Sequence, residues 1–146
     1  MHELYKLKEA HYFLKRMSLE HDDPTNFRFE LSAFLGAARS VLQYALKEAQ
    51  SRSGGEQWYQ QAITGDPLFT FFKNQRDANI HSVPVSPATR METHISEYLR
   101  MDDDTMIPYR HHTSSYHHRF ADWPEDEAVI DISQRYLNAL QDIVNQ

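Results

Sequence analysis

Side chains that could do chemistry together are concentrated in the run 76–81, which reads RDANIH. An imidazole can take and give a proton near neutral pH, and a guanidinium can hold a phosphate through its planar fork of N–H groups. Asp77 and His81 are four residues apart, so on a helix the carboxylate could orient the imidazole. Arg76 and Asn79 are neighbours at a spacing of three. The run therefore makes Arg76 and His81 candidate residues for action on one phosphate, with Asp77 and Asn79 as their candidate supporting residues.

The helix that carries this run has an apolar stripe that turns polar. Phe69 and Phe72 begin the stripe, and the same face continues to Arg76 and Asn79. Such a face is typical of a wet cleft or a subunit interface, although a helix that simply emerges into solvent gives the same pattern. We expect this face to lie at or beside a two-fold interface, because a symmetric contact brings two copies of one patch together.

Apolar periodicity and capping residues predict four helices. The predicted segments are about 3–19, 24–50, 56–81 and 124–146. Asp23 and Pro24 suit the start of the second helix, and Asp122 suits the start of the last. The third segment is kinked or broken at 64–67, where Asp66 can act as a new cap. These helices predict a mainly α protein, an antiparallel four-helix bundle.

Residues 83–121 predict a small β insert between the third and fourth helices of a single domain that covers 1–146. Alternating polar character indicates a strand over 89–95, and two further short strands are predicted at 106–110 and 116–120. The acidic run 102–104 is typical of a turn. We expect the insert to lie outside the main core.

A histidine-rich run, RHHTSSYHHR over 110–119, is nearly palindromic. A hairpin that turns at 113–116 would place His112 opposite His117 and His111 opposite His118. Such cross-strand pairs could bind zinc or, when protonated, RNA phosphates. We favour an exposed polar hairpin without metal, because cysteine or carboxylate ligands at fixed spacing are missing. The candidate contacts to RNA or a partner are Arg110, His112, His117 and Arg119.

Composition limits the classes of function. The chain has 146 residues, no cysteine, a 40% hydrophobic share and a formal net charge of −6. The acidic balance opposes a sequence-independent nucleic-acid binder, although a local basic site is compatible with it. No apolar run approaches the roughly 20 residues that span a bilayer, and no apolar signal core follows Met1. We therefore expect a cytoplasmic protein without a membrane partner.

The run 76–81 resembles the motif of the HEPN family of helical-bundle proteins. In its ribonuclease members an arginine is followed by a polar residue and, four to six residues after the arginine, by a histidine. Arg76, Asp77 and His81 fit that pattern, and the bundle resemblance covers about 3–81 and 124–146. Arg16 and His21 have the same spacing, but Met17 breaks the polar requirement.

The resemblance implies a HEPN-like bundle and a metal-independent endoribonuclease of the toxin type. Cleavage would proceed by attack of the 2′-hydroxyl, with the Arg76 and His81 pair at a cleft between two copies of the chain. The implied partners are RNA, a second copy in a homodimer, and an antitoxin or a nucleotidyltransferase-like protein; no cofactor is implied.

Two other functions fit the sequence. One is a non-catalytic HEPN-like binding or regulatory subunit of a toxin–antitoxin or antiviral system, in which Arg76 is salt-bridged and His81 ends a helix. The acidic balance slightly favours this reading. The other is a metal-binding helical protein that uses the histidine-rich hairpin.

Overall fold

The computed structural model describes the backbone of residues 1–146 and all side chains except those of Ser96, Leu99, Tyr109 and His111. Its elements in chain order are α1 (His2–Leu19), α2 (Pro24–Gln50), α3 (Gly55–Thr64), α4 (Pro67–His81), β1 (Ala88–Arg100), β2 (Met106–Arg119) and α5 (Val129–Val144). The protein is mainly α, and the two strands lie together in one antiparallel sheet.

The prediction of a four-helix bundle is wrong, because the segment 56–81 forms two helices. Asp66 has an extended backbone, and its carboxylate accepts a hydrogen bond from the Leu68 amide at 2.9 Å. Pro67 has no N–H to continue the preceding helix, so α4 begins anew there. The chain therefore has five helices, and the strands lie between the fourth and the fifth rather than between the third and the fourth.

The predicted start of the second helix is confirmed. The Asp23 carboxylate accepts hydrogen bonds from the amides of Thr25 and Asn26, and Pro24 occupies the first turn of α2. These contacts satisfy amides that have no partner inside the helix.

A cluster of aromatic rings forms the core where α2, α4 and α5 meet. The ring of Phe72 stacks on that of Tyr136 at 4.2 Å, and Phe34 and Phe120 meet it edge-on. Phe69 also packs against Tyr136. Other parts of the same chain bury both rings, so Phe69 and Phe72 belong to the core, and a two-fold interface at or beside this helix face stays a prediction.

The two strands form a long hairpin, called the arm below. β1 pairs with β2 from Ala88 opposite Arg119 to Arg100 opposite Met106, with one register shift between positions 96 and 98. The predicted turn at 102–104 is confirmed, and Asp104 adopts a left-handed backbone there. The predicted turn at 113–116 is wrong, since one continuous strand runs through it and replaces the two short strands expected on either side.

The last helix begins later than predicted. α5 starts at Val129, and Asp122 caps no helix; its carboxylate instead accepts a hydrogen bond from Gln75 at 2.6 Å. Phe120 is buried, and Trp123 packs on Phe71 of α4. These contacts fix the segment that precedes α5 against α4.

No helix in the described part of the chain is long and apolar enough to cross a membrane.

Candidate functional site

The guanidinium of Arg76 is fixed near the C-terminal end of α4. One of its terminal nitrogens donates a hydrogen bond to the Asp77 carboxylate at 3.1 Å, and the Arg76 side chain is only 25% exposed. This hydrogen bond holds the pKa of Asp77 below its usual range, and the charge of Lys73 at 3.8 Å lowers it further. The Arg76 Nε is buried without a partner among the described atoms. Asp77 thus orients Arg76.

His81 is the last residue of α4, and its imidazole is exposed. The amides of Ser82 and Val83 both donate to the Ala78 carbonyl and close the helix, so the predicted helix end near His81 is confirmed. The described contacts of Asp77 are with Arg76 and Lys73 and do not include His81. The imidazole is therefore open to solvent and to a ligand.

Within one chain the two predicted catalytic side chains point in different directions. The last turn of α4 stays helical, and five residues along a helix correspond to a rotation of about 140° and a rise of about 7.5 Å. Arg76 and His81 of one chain therefore do not converge on a single point. A site that uses both groups calls for a second copy of the helix end.

Exposed apolar side chains surround this helix end. Ile80 and Val83 are 53% and 67% exposed, and Phe29 on α2 is 67% exposed. Phe29 lies one helical turn before Ser32, whose hydroxyl contacts Asn79 of α4, so the phenyl ring belongs to the same end of the molecule. Exposed apolar groups of this size on two neighbouring helices are typical of an interaction surface.

Asn79 connects three parts of the chain. Its amide nitrogen donates to Ser32 Oγ at 2.8 Å, and its amide oxygen accepts from the Val85 amide at 2.8 Å. The Val85 carbonyl in turn accepts from Arg28 Nε at 3.2 Å. Both polar groups of Asn79 are thus used to fix the segment that leads from α4 into the arm.

We predict that Asn79→Ala lowers the free energy of unfolding by about 1–3 kcal/mol, because the half-buried Val85 amide loses its acceptor. Asn79→Asp is the matched control, since its carboxylate can still accept from that amide and should preserve more of the stability. Urea unfolding of both variants measures the difference. Equal stability of wild type and Asn79→Ala would show that the bridge contributes nothing.

The predicted contacts in the run 110–119 do not form one cluster. His112 lies opposite Ile95 rather than His117, and His117 lies opposite Arg90 with its Nε2 3.3 Å from the Glu92 carboxylate. Arg119 forms an ion pair with Asp126, and Arg110 is exposed. The side chain of His111 lies outside the described residues. Among the described residues, no group of three His, Asp or Glu side chains could hold a metal ion.

The environment of His118 differs most from the predicted one, an exposed polar hairpin. Its ring is buried, stacks on Phe27 at 3.9 Å, and uses both nitrogens. Nε2–H donates to the His21 carbonyl at 2.8 Å, so in the neutral ring Nδ1 accepts from the Thr89 hydroxyl at 2.9 Å. The expectation that the insert lies outside the core is therefore wrong at His118, which fixes the root of the arm to the start of α2.

Acid is expected to weaken this attachment. Burial lowers the pKa of His118 below its ordinary value of 6.5, and the nearby His21 and His117 lower it further. The unfolded chain therefore binds a proton at a higher pH than the folded chain does. The stability that His118 contributes is complete above pH 6.5 and is lost as the pH falls through the lowered pKa of the folded state.

Thermal unfolding at a series of pH values between 7.5 and 5 tests this. His118→Gln keeps a side chain that can donate to the His21 carbonyl but does not titrate, so its melting temperature should fall less over this range than that of the wild type. A parallel decline of the two proteins would assign the pH dependence to other histidines.

No family model, no curated protein and no solved structure matches this chain.

Proposed function

We propose that this chain is a metal-independent endoribonuclease whose active site forms where the α4 ends of two copies meet. The observation that carries the proposal is a guanidinium held by Asp77 and an unpaired, exposed imidazole within the last two turns of one helix. The resemblance to HEPN ribonucleases supports it through the motif 76–81 alone, since the predicted four-helix bundle is wrong.

A second copy supplies what one chain lacks. Arg76 and His81 diverge by about 140° around α4, so two helix ends related by a two-fold axis can bring Arg76 of one chain toward His81 of the other. The exposed apolar side chains of Phe29, Ile80 and Val83 would be buried in that contact. The resulting cleft would hold two guanidinium groups and two imidazoles.

Cleavage in such a cleft needs only water and groups that the RNA and the two chains provide. One His81 imidazole removes the proton of the 2′-hydroxyl, and the 2′-oxygen attacks the adjacent phosphorus. The bond from phosphorus to the 5′-oxygen breaks, and the leaving oxygen takes a proton from a water molecule, to which the His81 imidazolium returns the proton that it removed. Arg76 stabilises the charge on the phosphoryl oxygens. The products are a 2′,3′-cyclic phosphate and a 5′-hydroxyl.

A second candidate function is favoured by the Arg76–Asp77 ion pair. Asp77 neutralises part of the charge that would attract a phosphate, and the chain as a whole carries a formal net charge of −6. A binding or regulatory subunit would use the same apolar helix end for a protein partner and would leave RNA intact.

The test is incubation of the purified chain with an RNA and with a DNA of the same sequence, in the presence of a chelator. We expect the RNA to be cut and the DNA to be spared, because DNA lacks the 2′-hydroxyl. The 5′ products should end in a 2′,3′-cyclic phosphate. RNA that stays intact across varied sequences and structures would support the binding subunit. Cutting that stops in chelator would contradict the mechanism.

A further inference from the structure

The arm is a two-stranded sheet whose outer edges have no partner strand in the described chain. Isolated two-stranded hairpins are at best marginally stable in water, and open edges offer unpaired N–H and C=O groups to another strand. The root of the arm is fixed by His118 and by Val85, whereas Met91 and Ile95 further along β1 are 57% and 53% exposed. The outer edge of β1 is therefore available for pairing with another strand.

The sequence of β1 is complementary to itself around Thr93. When two copies run antiparallel with Thr93 opposite Thr93, Met91 faces Ile95 and Glu92 faces His94 of the other chain. Each pairing occurs twice because of the symmetry. Apolar pairs and threonine pairs stabilise antiparallel sheets, and the Glu92–His94 pairs add an attraction between opposite charges when the imidazole is protonated.

We infer that the outer edge of β1 binds the same edge of a second copy, with a two-fold axis at Thr93. The two arms then form one continuous four-stranded sheet in the order β2, β1, β1, β2. The contact is isologous, and the main-chain hydrogen bonds between the two β1 strands hold it together.

The outer edge of β2 is a poor alternative. Its palindromic run 110–119 would place Arg110 opposite Arg119 and His112 opposite His117 of the other copy. Like charges directly opposite each other destabilise a sheet, and the histidines add to this repulsion when they are protonated. Pro108 also removes one amide from this strand. The arm therefore has one edge that attracts its own copy and one that repels it.

This contact goes beyond the proposed ribonuclease and does not depend on it. Thr93 is five residues from the end of β1 that follows α4, which corresponds to about 17 Å of strand. Antiparallel arms therefore hold the first residues of the two β1 strands about 34 Å apart, and six further residues lie between each of these ends and His81.

Single cysteines test the register, because the natural chain contains none. Thr93→Cys places two thiols opposite each other across the axis, where Cβ atoms are about 4.5–5.5 Å apart. Mild oxidation or a short bis-maleimide should convert most of this full-length variant into a covalent dimer on a non-reducing gel.

Two exposed positions in the arm provide matched controls. In the proposed sheet the two copies of Glu97→Cys lie about 27 Å apart, and those of Thr113→Cys about 16 Å apart. We expect both variants to remain monomeric on the same gel. Equal cross-linking of all three variants, or none at Thr93→Cys, would overturn the inference.

Charge reversal tests the same contact without cross-linking. His94→Glu places a carboxylate opposite each Glu92 and should raise the dissociation constant of the arm contact about tenfold in sedimentation equilibrium. Adding Glu92→Lys to that variant restores opposite charges and should restore association. A wild-type chain that does not self-associate at high concentration, or whose association is unchanged by His94→Glu, would also overturn the inference.

Discussion

His81→Ala is expected to slow RNA cleavage by about a hundred- to ten-thousand-fold, because the variant lacks the group that moves the proton. The imidazole is exposed and makes no described contact that holds the fold, so the melting temperature should stay nearly unchanged. Initial rates on one RNA, with melting curves of the same preparations, measure both effects. His11→Ala is the matched control, since it removes an exposed imidazole from α1.

Arg76→Lys should fail almost as completely as Arg76→Ala. A lysine keeps the charge, but it loses the planar fork that can hold both Asp77 and a phosphate. Lys73→Ala is the control for charge, because it removes a half-exposed cation from the same helix and should alter the rate only a few-fold. If Arg76→Lys kept the wild-type rate, charge alone would account for the role of Arg76.

Mixing two inactive variants distinguishes a shared cleft from a site within one chain. A wild-type dimer has two pairs in which Arg76 of one chain faces His81 of the other. In a dimer of one Arg76→Ala chain and one His81→Ala chain, one of these two pairs is intact. Random mixing makes half of the dimers mixed, so about a quarter of the wild-type activity should return. No recovery, with subunit exchange shown to occur, would mean that Arg76 and His81 act from the same chain or do not act together.

Local chemistry made the helix boundaries predictable. Asp23 with Pro24 and Asp66 with Pro67 each place a carboxylate before a residue without an N–H, and both pairs begin a helix in the structure. Whether 64–67 kinks or separates the helix was not decided by these residues alone. The aromatic stripe of α4 also packs on Tyr136 of α5, a contact with a residue far along the chain that the run 64–67 does not specify.

The arm shows where local patterns fail. The runs 102–104 and 113–116 both contain turn-forming polar residues, and the near-palindrome over 110–119 predicts a turn at its centre. The strand register is decided instead at the root, where His118 is held by His21 and Phe27, 97 and 91 positions away in sequence. No periodicity within the run 110–119 could distinguish this buried histidine from its exposed neighbours.

Phe72→Ala is expected to lower the free energy of unfolding by about 3–5 kcal/mol, the usual loss for a truncated core phenylalanine. The ring is buried between Tyr136, Phe34 and Phe120, and its removal leaves a cavity that these large rings cannot fill without moving. Urea unfolding measures the loss. Because all of these contacts lie within one chain, the loss should be the same at low and at high protein concentration.

Phe29→Ala is the matched control, since it removes the same ring from an exposed position beside the α4 end. Loss of an exposed ring should change the unfolding free energy by less than about 1 kcal/mol. If the α4 ends meet as proposed, Phe29→Ala should instead weaken self-association and reduce RNA cleavage at low concentration. A loss of unfolding free energy that depends on protein concentration for Phe72→Ala would show that the Phe72 ring contributes to a subunit interface. If Phe29→Ala associates as the wild type does, the exposed apolar side chains do not contribute to the contact between the α4 ends.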